Sequence, residues 1–223
     1  MTLREAIAGF LEQSVKDAPQ PFDLLTACFS PDIRVDEITA ARLRDFLARW
    51  YIEQAGSTSE ADSTVEPELL CDALAEFFRW AESAACFSSA EDHIRILSEL
   101  KQSLPRALEI SVSLSERLAA RGGAFGFPEF LTSFEEGGHS SYDMDEAGEA
   151  CAIEGYFRIT RIEGAMVEAE EIISEERVWP INLPRDLTSL FASDYIVNLE
   201  LVRSKEGWQI AACGFAYPPG TDI

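Results

Sequence analysis

The chain has 223 residues, 47% of them apolar, and a net charge of −22, which suits one or two globular domains. No run of ~18 apolar residues occurs, so no membrane span is expected. A surface this acidic repels phosphate backbones and anionic lipid, which argues against nucleic acid and membranes as partners.

The chain changes character near residue 122. Before it, apolar residues recur every three to four positions; after residue 150 they alternate. A period near 3.6 gives helices and a period of 2 gives strands. The expected division is a helical domain over 1–122, an acidic Gly/Ser connector over 123–150, and a β domain over 151–223. The helical part carries 12 basic and 21 acidic residues, the remainder 6 and 19.

Leu3, Ile7, Phe10, Leu11 and Val15 share one helical face, with Thr2 placed to cap it. Pro19 and Pro21 are read as ending that helix, and Phe22–Phe29 as one or two turns. The amino terminus lacks a basic stretch leading into an apolar one, so no signal peptide is expected and the location defaults to the cytoplasm. Leu43, Phe46, Leu47, Trp50 and Tyr51 mark the next helix, capped by Asp36 or Thr39 and closed by Gly56. Residues 56–66 are polar and read as a loop. Pro67 suits a helix first turn, followed by the stripe Leu69, Leu70, Leu74, Phe77, Phe78 and Ala81. Ser88-Ser89-Ala90-Glu91 has capping-box spacing. Its helix carries Ile94, Leu97, Leu100 and Leu104. Pro105 either kinks it or starts another through Leu108, Val112 and Leu118. Four or five substantial helices result.

Beyond Cys151, one strand face carries Ile153, Phe157 and Ile159. Glu163-Gly164 turns into a second strand with Val167, Ala169 and Ile173. Val178–Ile181 make a third. Pro184–Ala192 reads as a short helix, and Tyr195, Val197, Leu199 and Leu201 as a fourth strand. Ser204–Gly207 is a hairpin turn before a fifth strand with Trp208, Ile210 and Ala212. Three strands, a short helix and two strands predict an α+β protein. Its carboxy-terminal part is expected to be a small five-stranded antiparallel barrel of the OB or SH3-like kind, with Phe157, Ile159, Val197, Leu199, Leu201 and Ile210 inside.

Candidate chemistry is sparse. Asp143, Asp145, Gly148 and Glu154 sit at calcium-loop positions 1, 3, 6 and 12, but Ala147 cannot ligate through its side chain and a strand follows. His93 and His139 lack a second His or Cys at ligand spacing. The cysteines, Cys28, Cys71, Cys86, Cys151 and Cys213, form neither a zinc pattern nor a disulfide framework, and each sits among apolar neighbours. No phosphate-cradling glycine loop or nucleophile elbow occurs. No catalytic residue, metal ligand or cofactor is therefore assigned. Trp50, Tyr51, Phe77, Phe78 and Trp80 are read as core, with Trp80 off the main stripe.

Thr39–Trp50, together with Leu74–Trp80, resembles the paired helices of the core-binding domain of tyrosine recombinases. The resemblance implies a similar helix packing; the Arg, His and Tyr set of that family has no counterpart in the β part. Arg34, Arg42, Arg44 and Arg49 are the residues from which a local basic groove would have to come. The expected function is a non-enzymatic interaction or regulatory module, meeting a partner with a basic or apolar surface. The alternatives are a nucleic-acid-associated protein and a hydrolase with its site between the two parts. The sequence leaves oligomeric state open.

Overall fold

A computed structural model describes residues 1–13, 19–57, 65–120, 124–125, 152–205 and 207–223. The chain is helical in its amino-terminal part and carries a mixed sheet in its carboxy-terminal part. It forms two compact units, Met1–Pro105 with Asp222, and Arg106–Thr221 with Ile223.

In the first unit, α1 (Leu3–Gln13) opens on a reciprocal cap. The Glu5 amide donates to Thr2 Oγ1 at 3.3 Å, and the Thr2 amide to Glu5 Oε2 at 2.9 Å. Helix α2 (Gln20–Cys28) takes Pro21 into its first turn, so the proline begins this helix, where its missing N–H costs nothing. Thr39, not Asp36, caps α3 (Ala40–Asp45) by accepting from the Arg42 amide. The backbone then widens into a π turn over Phe46–Tyr51 and returns to α-helix in α4 (Ile52–Ser57), so Gly56 does not stop it. The wider turn brings Phe46, Leu47, Ala48, Tyr51 and Ile52 all into the core and leaves Trp50 only half-buried.

Helix α5 (Pro67–Ser83) buries Leu70, Leu74, Phe77, Phe78 and Ala81, while Leu69 points to solvent. Helix α6 (Glu91–Ala120) begins with Ser89 Oγ accepting from the Glu91 amide. Pro105 lies inside it without ending it. From Arg106 onward α6 belongs to the second unit, where Ala107, Ile110, Leu114 and Leu118 are covered and Val112 is exposed.

The sheet runs through β1 (Ala124–Phe125), β2 (Ala152–Glu163), β3 (Met166–Glu171), β4 (Arg177–Asn182), β5 (Ile196–Ser204) and β6 (Gly207–Tyr217), with a one-turn helix α7 (Arg185–Thr188) between β4 and β5. The strand order is β1-β6-β4-β3-β2-β5, and β5 also pairs with β6. The expected antiparallel arrangement is corrected: β6 runs parallel to β4 and to β1. The reason is parity. From β4 through β3, β2 and β5 to β6 every step is antiparallel, so after four steps β6 points the same way as β4 and pairs with it in parallel.

Five of the six expected interior residues, Phe157, Ile159, Val197, Leu199 and Leu201, are essentially inaccessible, which fixes the register. Ile210 is only half-buried because it stands on the wall of a surface groove. Ile173 belongs to the β3–β4 turn rather than to a strand, and is 86% exposed.

Candidate functional site

The second half of α6 frames the site. Leu114 and Leu118 are one turn apart, so they share a face, and that face is turned toward the sheet. Ser111, on the same helix, accepts the Ala216 amide of β6 at 2.8 Å while donating to the Ala107 carbonyl at 2.9 Å. Arg106 donates to the Leu190 and Ser189 carbonyls at 2.6 and 3.1 Å, just past the end of α7, where a helix leaves acceptors unpaired. Arg117 pairs with Asp186 of α7. These links hold α7 and β6 against α6.

Between them lies a groove of about 290 Å³, walled by Leu114, Leu118, Leu183, Leu187 and Ile210, with Asn182 and Gln209 exposed at its rim. The four leucines are already nearly covered, so the opening exposes little of their apolar surface. Gln209 places an amide donor and acceptor beside it. The only ionisable lining group is Arg117, which is paired. This lining holds no nucleophile and no general base.

The residues singled out in the sequence fall elsewhere. His93 is buried in the first unit, with its Nε2 2.7 Å from the Ile38 carbonyl and its ring stacked on Phe78 at 4.6 Å. That carbonyl can only accept, so Nε2 carries the proton. Nδ1 is buried without a partner. His139 and the span Asp143–Gly148 lie outside the described residues. Glu154 sits in β2 directly opposite Glu200 of β5. Burial, and then the facing Glu154, push the Glu200 carboxyl above the usual range. A carboxyl raised on folding weakens the native state above its folded pKa and ceases to do so as the pH falls through it. Glu200→Gln is therefore expected to raise the melting temperature at neutral pH. The gain should shrink on acidification, and a gain independent of pH would refute the assignment.

Burial passivates three of the thiols. It pushes Cys28 up to about 11, and Cys71 and Cys213 up to about 12. A thiol is nucleophilic only as thiolate. Mapping a chromogenic disulfide reagent by mass spectrometry is expected to find Cys71 and Cys213 unmodified in the folded chain. Rapid labelling of either would contradict this.

The four arginines do not make a basic groove. Arg34 pairs with Asp36 at 2.7 Å and Arg44 with Glu99. Arg49 lies between Asp45 and Glu53, at 3.9 and 3.8 Å. Arg42 donates to the Glu37 carbonyl and covers the Phe29 ring. Nucleic-acid affinity rests on cations free to displace phosphate counterions. Fluorescence anisotropy with labelled single- and double-stranded oligonucleotides is expected to show no micromolar binding at physiological salt. Salt-sensitive binding lost on changing Arg42 and Arg49 to Ala would overturn this.

Among the described residues, no three His, Cys, Asp or Glu side chains are placed to hold a metal ion, and no helix is long and apolar enough to cross a membrane. The groove is not legible in the sequence because its walls come from three separated segments. The only local signals were Pro184 and Leu187 after a strand. In comparisons with known proteins, no family model, no curated protein and no solved structure matches the chain.

Proposed function

We propose that the chain is a non-enzymatic interaction module whose carboxy-terminal unit is a small barrel of the OB kind. The pairing of β5 with both β2 and β6, and of β6 with β4, supports the barrel. OB barrels that bind single strands use basic grooves and exposed aromatics. On this sheet Arg158 and Arg177 flank Glu170, and Arg161 lies beside Glu163 and Glu168, so these three arginines are matched by acids, while Arg203 lies over the Trp208 ring. That favours a protein partner.

The observation that carries the reading is the groove beneath α6, with its apolar walls, amide rim and lack of reactive groups. Its partner presents an apolar side chain beside Lys or Arg, which a chain of net charge −22 attracts. Selection of a random peptide library on the full chain tests the reading. Enriched sequences should join an aliphatic or aromatic residue to basic neighbours. Enrichment of acidic sequences, or of none, would count against it.

A further inference from the structure

We draw no further inference here: the strongest candidate, the exposed Ile173 at the tip of the β3–β4 turn beside Glu175 and Glu176, is a single apolar side chain on an acidic turn, and nothing in the structure shows what covers it.

Discussion

Replacing Gly207 by Val is expected to cost the protein about 2–4 kcal/mol, by adding backbone strain to a steric clash. Gly207 opens β6 with φ +125°, a region that side chains with a Cβ rarely enter. A Cβ there would lie 2.7 Å from the Pro180 carbonyl oxygen and 2.8 Å from Pro180 Cγ. The carbonyl belongs to the backbone of β4 and cannot rotate away. β4 and β6 are registered at Ile181 and Trp208, so the clash falls where these two strands meet. Gly164 is the internal control. Its φ is +63°, but nothing lies within 4 Å of its added Cβ. Gly164→Ala should lose only the left-handed penalty, about 1 kcal/mol. Urea unfolding of both variants decides it: equal losses would mean that the close approach of β6 to Pro180 is not real.

Ser111→Ala is expected to cost about 1–3 kcal/mol, the penalty for leaving a buried donor unpaired. Ala216 is completely inaccessible, and its amide has Ser111 Oγ as a partner at 2.8 Å. A serine in mid-helix ordinarily returns its hydroxyl to the carbonyl four residues back, as Ser111 does to Ala107. Here the same oxygen also accepts a strand amide, so a helix side chain completes the hydrogen bonding of β6. Ser111→Thr keeps the hydroxyl and should recover most of the stability. Amide exchange at Ala216 should accelerate in the Ala variant and stay slow in the Thr variant. Unchanged protection in both would show that the amide has another partner.

Hydrophobic period revealed the elements well, because it reports which face of a segment is buried. Phe157, Ile159, Val197, Leu199 and Leu201 were legible for that reason. Period does not report strand direction or partner, so the parallel pairing of β6 with β4 could not be read from it. Nor does it register a change in helix type. The π turn at Phe46–Tyr51 places Ala48 inside and Trp50 part-way out, against a regular 3.6 spacing. Exposed Leu69 and Val112 show that an apolar residue on a helical stripe need not be covered. The groove was illegible for a different reason: α6, α7 and β6 meet through Ser111, Arg106 and Arg117, whose partners are distant in sequence. A polar residue in a helix reads as solvated until its partner is known.

The groove under α6 is the proposed binding site of the protein. The most direct measurement is a methyl NMR titration of the full chain, labelled at Leu and Ile, with a peptide taken from the library selection. The largest shifts are expected at Leu114, Leu118, Leu183, Leu187 and Ile210, and Gln209→Trp, which fills the rim, is expected to weaken binding at least tenfold. Shifts confined to first-unit methyls such as Leu43 and Leu74, or undiminished binding to Gln209→Trp, would contradict it.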